Sequence, residues 1–284
     1  MDSEFDSGTA ELMRANERNW DARTPIHAAS QFYGVDGTTP AESWFAPFEW
    51  DDLGPLANRD LVHLQCHLGV ETIAFARRGA RTVGLDFSGQ AVEHARRIAA
   101  RHGVEVDYVK SDVYDAVTAL GARRFDIVYT AKGSLCYLPD LDRWAAVLAD
   151  LLKPGGLAYI VEFHPILTSF GPKPDPDQQE LLLRHDYLQG RGAVEHNSTH
   201  TYTDGPALPS DATAVYEWAH GLGEVVTALI GAGLTITRLR ETEQLPWPRF
   251  ERMVRDEQTG WWQLPPTDAR VPLLYALAAT KPNE

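Results

Sequence analysis

Cysteine is scarce in this sequence, and basic residues are outnumbered by acidic ones. The two cysteines, Cys66 and Cys136, belong to no CxxC or Cys/His spacing, so we expect neither a disulfide framework nor a cysteine metal site. The 26 Lys and Arg residues against 40 Asp and Glu residues give a net charge of −14. This balance opposes broad contact with a phosphate backbone, and we expect no nucleic-acid partner.

Long apolar runs are also missing. No stretch approaches the roughly 18 consecutive apolar residues of a membrane span. The first residues, MDSEFDSGTAELMR, carry acids where a secretory signal has basic and then apolar residues. We therefore expect a cytoplasmic protein with no membrane contact. The composition is that of an ordinary globular chain, with 44% hydrophobic and 23% charged residues among 284. One domain with insertions is favoured over two small domains.

Short apolar runs alternate with amphipathic helical stretches from residue 61 onward. Two strands are predicted late in the chain, in LTITRLRE (234–241) and VPLLYALAATK (271–281). Alternation at this length is typical of right-handed crossover connections, so the pattern predicts an α/β fold with a mostly parallel, doubly wound sheet. Five earlier runs have strand character, namely LVHLQC, RTVGLDF, VEVDYVKSD, FDIVYTA and LAYIVEF.

Three segments do not fit this alternation. Residues 1–57 are predicted to form an N-terminal helical lid, and residues 58–284 form the main domain. The insertions at 165–215 and 242–270 are too long for plain connections and indicate further lid segments. The aromatic residues of these segments either cover one end of the core or line a ligand pocket.

Two helix boundaries are predicted around these segments. The helix ELMRANERNWDART is expected to end at the Thr24–Pro25 step, because proline removes a backbone donor from a helix interior. After the first insertion, YEWAHGLGEVVTALIGAG (216–233) is expected to be helical throughout.

Polar residues follow successive strands of the predicted sheet. Asp86 ends the second strand, 17 residues beyond Gly69, and Asp112 ends the third. Ligands of open parallel sheets bind at the carboxyl ends of the strands. A carboxylate after the second strand suits the two hydroxyls of a ribose, and one after the third can accept from an adenine amino group. Together they fit a bound adenosine, although a single acid at a strand end is more often a turn or helix-cap residue than a ligand.

At these residues the chain resembles the class I S-adenosylmethionine-dependent methyltransferases over residues 58–164 and 216–281. That family has a Rossmann-like sheet of seven strands, of which the last is antiparallel. Further resemblance lies in LPDLDRW, LLKPGG and EFHP, and HLQCHLG resembles the first motif of a variant subgroup of bacterial small-molecule enzymes. Aligned with the usual first motif, His63 stands where an acid is expected, and Gln65 and His67 stand where the first two glycines are expected.

The resemblance implies S-adenosylmethionine as the cofactor. Asp86 would hold its ribose, Asp112 its adenine amino group, Val113 would offer a backbone amide, and Phe87 would form an apolar wall. Gly69 would allow close approach to the methionine portion. Gln65 is predicted to hydrogen-bond that portion, whereas His67 either contacts the cofactor or packs the loop. His63 is interpreted as a core histidine. The implied cofactor set is Gln65, Cys66, His67, Gly69, Asp86, Phe87, Asp112, Val113 and Thr130.

The resemblance also implies methyl transfer to an oxygen or nitrogen of a small organic molecule, in secondary metabolism. We expect the acceptor pocket to include Trp20, His27, Tyr33, Tyr137 and His164. His164 directly follows the fifth strand and is the candidate general base.

No metal is expected, because the i, i+4 pair His196 and His200 lies in a polar loop rather than on a helix. A dehydrogenase is disfavoured because glycines are missing where a pyrophosphate would approach the backbone. A catalytically inactive protein that binds the cofactor as a partner or regulator stays open. We expect a monomer or a homodimer.

Overall fold

A computed structural model describes residues 5–171 and 180–283. Residues 1–4 of the predicted N-terminal lid and 172–179 of the first predicted insertion lie outside the described residues. The helices are α1 (Ser7–Ala29), α2 (Pro47–Leu53), α3 (Val70–Arg77), α4 (Gly89–Arg101), α5 (Ala116–Ala119), α6 (Leu141–Leu151), α7 (Pro165–Ser169) and α8 (Leu222–Gly231). Short 3-10 helices cover Ala41–Trp44, Val113–Asp115 and Leu135–Tyr137.

The strands form one large sheet and two small ones. The large sheet contains β1 (Asp60–Leu64), β2 (Arg81–Asp86), β3 (Asp107–Lys110), β4 (Phe125–Thr130) and β5 (Leu152–Phe163). The insertions contain β6 (Ala193–Asn197), β7 (Ala214–Trp218), β9 (Gln244–Leu245), β10 (Val254–Arg255) and β11 (Trp262–Gln263). The remaining members of the large sheet are β8 (Thr235–Thr242) and β12 (Leu274–Thr280).

In the described chain the large sheet has seven strands in the order β3-β2-β1-β4-β5-β12-β8. The first five are mutually parallel, and β12 runs antiparallel to both β5 and β8. The strand order reverses between β1 and β4, which is where an open sheet of this kind binds its ligand. The predicted fold, with its antiparallel last strand, is confirmed.

The central strands are buried on both faces, which explains their continuous apolar sequences. Successive side chains alternate between the faces. Val62 therefore joins the core that packs under α6 and α8, around Trp144, whereas Leu61 joins the opposite core with Phe75 of α3. Phe45, from the N-terminal segment, packs into that second core. The N-terminal segment is thus attached to the sheet domain by apolar burial.

The prediction that the first helix ends at Thr24–Pro25 is wrong, because α1 continues to Ala29 with Pro25 inside it. Proline inside a helix costs about 3 kcal/mol. Continuation buries Ile26 and His27 completely or nearly so. Thr24 Oγ1 also donates to the carbonyl of Trp20 at 2.7 Å. Tertiary contacts beyond the proline therefore outweigh the local penalty.

The helix predicted over 216–233 begins only at Leu222, because YEW belongs to β7. β7 pairs with β6 in an antiparallel ladder. The side-chain amide of Asn16 on α1 accepts from Tyr216 N at 2.7 Å and donates to Tyr216 O at 2.8 Å. These bonds satisfy the backbone N–H and C=O of Tyr216 in its extended conformation, so this residue needs no helical hydrogen bonds.

The second insertion has its own three-stranded sheet, in the order β10-β11-β9. Trp261 is 3% exposed, and its indole N–H donates to the carbonyl of Ser43 at 3.3 Å. This insertion therefore packs on the N-terminal segment. Within the described ranges, no helix has the length and apolar character needed to cross a membrane.

Candidate functional site

A cavity of about 820 Å³ lies at the carboxyl ends of β1, β2, β4 and β5, with walls from α1 and both insertions. Most of the residues that the sequence analysis assigned to the site line this cavity. They are Trp20, Tyr33, Gln65, Cys66, His67, Gly69, Asp86, Phe87, Asp112, Val113 and Tyr137. The topology thus brings the ends of neighbouring strands and two distant segments together around one cavity.

The loop after β1 has the backbone of a glycine-rich loop although it contains one glycine. Gln65 and His67 have φ values of 55° and 47°, in the left-handed region. A left-handed conformation costs a non-glycine residue about 1–2 kcal/mol. Compensating hydrogen bonds hold it, since Gln65 Nε2 donates to Ser134 O at 3.0 Å and His67 N donates to Asp86 Oδ2 at 2.8 Å. Gln65 Oε1 is buried without a partner among the described residues.

Gly69 makes a close contact within the protein that was not predicted from the sequence. Its φ is 68°, and a Cβ there would lie 2.3 Å from Tyr108 Oη. Any side chain at position 69 would therefore clash with Tyr108 of β3, which packs under the loop. Gly69 also lines the cavity, so its predicted close approach to the methionine portion of the cofactor stays a prediction.

The two strand-end acids have partly satisfied carboxylates. Asp86 is 4% exposed, and its Oδ1 accepts from Ser88 N at 2.9 Å in addition to the bond from His67. Burial raises the pKa of Asp86 to about 6. Asp112 accepts from Tyr114 N at 2.9 Å, and burial raises its pKa as well. Each acid acts as a local cap and still has lone pairs for a ligand.

Helix α1 is attached beside these acids. Asp21 Oδ1 accepts from Ser88 Oγ at 2.6 Å and from Gln90 N at 3.1 Å, at the start of α4. Glu17 forms an ion pair with Lys110 at 2.8 Å, at the end of β3. These contacts place α1 over the ends of β2 and β3.

His27 does not line the cavity, contrary to the prediction. It is fully buried behind His67, with its Nδ1 3.0 Å from His67 Nε2 and its Nε2 bonded to Thr201 Oγ1. Burial lowers the pKa of His27 to about 3 and that of His67 well below its usual value. The pair is therefore neutral at pH 7. Trp20 packs edge-on against His67, with ring centroids 5.1 Å apart.

A charged pair lies close to the position where the family acid is missing. His63 is neutral, because burial lowers its pKa to about 4, and its Nδ1 is 2.9 Å from Thr72 Oγ1. Lys132 Nζ lies 3.2 Å from Glu71 Oε1 and 3.9 Å from Glu49 Oε1. Burial opposes the charge on Lys132, but the two carboxylates raise its pKa. Glu71 and Lys132 both line the cavity.

Glu162 fixes the loop that carries Lys132. Its carboxylate is buried at the end of β5 and accepts from Ser134 N at 2.8 Å and Leu135 N at 3.0 Å, and also from Gly133 N. Burial raises the pKa of Glu162 while these N–H donors oppose the increase. Glu162 was not among the site residues predicted from the sequence, although an acid inside the apolar run LAYIVEF is a visible signal.

His164 and Thr130 also lie outside the cavity. His164 Nδ1 accepts from Ile166 N at 3.2 Å, which caps α7, and its Nε2 lies 2.9 Å from Glu241 Oε1 on β8. Its position directly after β5 turns it toward α7 and β8, so the prediction that it lines the acceptor pocket is wrong. Thr130 is fully buried within β4, paired with β1 and β5.

The end of the cavity near β5 is aromatic. Trp247 of the second insertion packs against Phe163 with ring centroids 5.2 Å apart, and against Phe32 at 5.8 Å and Trp44 at 6.3 Å. Arg249 lies beside this group and lines the same cavity. Tyr33 Oη and Tyr202 Oη, 2.5 Å apart, complete the wall.

The described residues contain no group of three or more His, Cys, Asp or Glu side chains arranged to hold a metal ion. His200 is exposed on its loop. His196 belongs to β6, and its Nε2 lies 3.6 Å from Glu217 Oε2.

Comparison with known sequences shows that residues 62–156 match a family described as a methyltransferase domain. The chain is 30% identical over 153 residues to a ubiquinone biosynthesis O-methyltransferase of Methylobacterium sp. (strain 4-46), covering 53% of this chain and 60% of that protein. A protein of the same name from Ralstonia nicotianae is 34% identical over 113 residues, or 39% of this chain and 45% of that one. The chain thus spans about half the length of these curated relatives.

Solved structures show the same fold at low identity. An S-adenosylmethionine dependent methyltransferase from Mesorhizobium loti has a TM-score of 0.53 and 19% identity, covering 87% of this chain and 99% of that one. An S-adenosylmethionine-dependent methyltransferase from Clostridium acetobutylicum has a TM-score of 0.57 and 12% identity, covering 88% and 95%. The likeness extends over most of the chain, including parts of the predicted lids.

Proposed function

We propose that this chain, which carries a class I S-adenosylmethionine-dependent methyltransferase domain, transfers a methyl group to an oxygen or nitrogen of a small organic molecule bound in the cavity. One observation carries the proposal. Asp86 and Asp112, at the ends of β2 and β3, line the same cavity as a loop that keeps left-handed backbone at Gln65, His67 and Gly69. A loop that had lost its cofactor would have no need to retain such strained residues.

The adenosine half of the cofactor fits the end of the cavity beside α1. We assign the ribose hydroxyls to the free lone pairs of Asp86 and the adenine amino group to Asp112. Phe87 and Val113 line the cavity next to these acids and supply apolar walls. When bound, S-adenosylmethionine supplies an electrophilic methyl group on its sulfonium. The chain itself holds the adenosine at the strand ends.

The methionine half is a zwitterion, and the cavity offers a charge for each of its ends. We assign its ammonium to Glu71 and its carboxylate to Lys132, with Gln65 as a further hydrogen-bonding partner. In this assignment Glu71 supplies the negative charge that His63 lacks, from the first turn of α3 instead of the end of β1. Buried charge-assisted hydrogen bonds of this type are about twice as strong as neutral ones.

The acceptor belongs at the aromatic end of the cavity, where Trp44, Phe163 and Trp247 exclude water. In-line displacement mainly requires a nucleophile held about 3 Å from the methyl carbon. His67 is the histidine that lines the cavity, and its lowered pKa makes it a weak base. We therefore favour acceptors that ionise readily, such as phenols, over alcohols that need a strong general base.

The names of the curated relatives, ubiquinone biosynthesis O-methyltransferases, support oxygen as the accepting atom. A role in secondary metabolism, a cytoplasmic location and a monomeric or homodimeric state remain parts of the same proposal. The direct test is methyl transfer from labelled S-adenosylmethionine to a panel of phenols and amines. Transfer to at least one member supports an enzyme, whereas binding of S-adenosylhomocysteine with no transfer to any member would favour a cofactor-binding regulator.

A further inference from the structure

Arg249 differs from Arg252 and Arg270, two other arginines of the second insertion. Arg252 forms an ion pair with Asp268 at 2.6 Å, and Arg270 forms one with Glu243 at 2.8 Å. Arg249, by contrast, is half-buried and donates to the carbonyl of Gly171, with no acidic partner among the described residues. Burial without a countercharge lowers its pKa. A guanidinium that is partly removed from water, with one neutral acceptor among the described residues, loses hydration free energy, and a ligand that completed its hydrogen bonds would offset that loss.

The surroundings of Arg249 strengthen this argument. It lines the cavity beside Phe163, Leu167 and Trp247, whose apolar side chains lower the local dielectric and make an ion pair there stronger than in water. A guanidinium also matches a carboxylate in a planar, two-bond geometry. The protein as a whole carries a charge of −14, so an anion needs a local positive group to enter.

We propose that Arg249 is the recognition site for an anionic group of the methyl acceptor, which makes the preferred substrate an aromatic or otherwise apolar acid. The inference rests on the proposed function, because it takes the aromatic end of the cavity as the acceptor site. The cofactor's own carboxylate is the other anion in the complex. We assign that carboxylate to Lys132, which pairs with Glu71 at the start of the helix that follows the β1 loop. Arg249 instead follows Trp247 in the chain, and Trp247 packs against Phe163 at the aromatic end of the cavity.

The test measures binding of benzoate, phenylacetate and cinnamate, each against its primary amide, by calorimetry with and without S-adenosylhomocysteine. The acid and amide have the same shape, so their affinity ratio isolates the charge. We expect at least one acid to bind wild-type protein about tenfold or more tightly than its amide. Arg249→Met should remove this preference, and Arg249→Lys should retain part of it.

Arg255→Met is the matched control. Arg255 belongs to the same insertion and also donates to a glycine carbonyl, Gly260 O at 3.0 Å, but it is exposed and does not line the cavity. The Arg255→Met substitution should leave the acid-to-amide affinity ratio unchanged. The proposal is wrong if no acid is preferred by wild-type protein, if the preference survives Arg249→Met, or if Arg249→Met weakens S-adenosylhomocysteine binding instead. Failure of wild-type protein to bind S-adenosylhomocysteine would contradict the proposed function, and the acid-to-amide ratio would still be measurable.

Discussion

The left-handed backbone at Gln65 predicts a reversal of the usual stability order of alanine and glycine. In ordinary helix or strand positions glycine is less stable than alanine by roughly 0.5–1 kcal/mol. At Gln65, with φ of 55°, alanine retains the left-handed penalty of about 1–2 kcal/mol, which glycine avoids. Both substitutions remove the bond from Gln65 Nε2 to Ser134 O, so that loss cancels in the comparison. We expect Gln65→Gly to be more stable than Gln65→Ala by about 1 kcal/mol.

The assay is urea unfolding followed by circular dichroism, with equal denaturant slopes required for the comparison. Arg97 is the control position, since it is exposed on α4 and its ion pair with Glu93 is lost in either variant. There, alanine should be more stable than glycine by about 1 kcal/mol. Equal stability of the two Gln65 variants, or an advantage for alanine, would refute the reasoning that the loop keeps glycine-like backbone under strain.

Three further predictions concern the site. Because burial raises the pKa of Asp86 to about 6, its carboxylate becomes protonated below that pH, and S-adenosylhomocysteine affinity should fall about tenfold between pH 7 and pH 5. Calorimetry at pH 7 and pH 5 tests this. If the fall in affinity persists in Asp86→Asn, another titrating group causes it. Lys132→Met and Glu71→Gln should each weaken binding of S-adenosylhomocysteine by about tenfold. Binding of methylthioadenosine, which lacks the amino-acid portion, should stay unchanged. Equal losses of affinity for both ligands would contradict the assignment of the charged pair. His164→Ala should destabilise the fold by about 1 kcal/mol through loss of the α7 cap while turnover stays within about twofold, so a large loss of turnover at unchanged cofactor affinity would restore the general-base hypothesis.

The periodic parts of the chain were predictable from sequence. Apolar alternation located every strand of the large sheet, and topology then required Asp86 and Asp112 to share an edge. The glycine-poor loop was recognisable from its place ahead of those acids. Its left-handed backbone at Gln65 and His67 was not, because nothing local in those residues favours that conformation.

Other features depend on contacts between distant segments. Glu71 and Lys132 are 61 positions apart and meet because α3 and the loop after β4 lie side by side. His164 follows its strand as expected, but strand periodicity ends at the last strand residue and does not determine where the next side chain turns. The helix continues past Pro25 because residues further along α1 are buried against other segments, and the local sequence does not encode those contacts.

The central claim is that the cavity holds the adenosine of S-adenosylmethionine across the ends of β2 and β3. Calorimetric titration of wild-type protein and Asp86→Ala with S-adenosylhomocysteine and with NADH tests it most directly. Micromolar binding of S-adenosylhomocysteine alone is predicted, weakened at least tenfold in Asp86→Ala, because each charge-assisted hydrogen bond contributes roughly 1.5–3 kcal/mol. Unchanged affinity in that variant, or binding of NADH in place of S-adenosylhomocysteine, would contradict the claim.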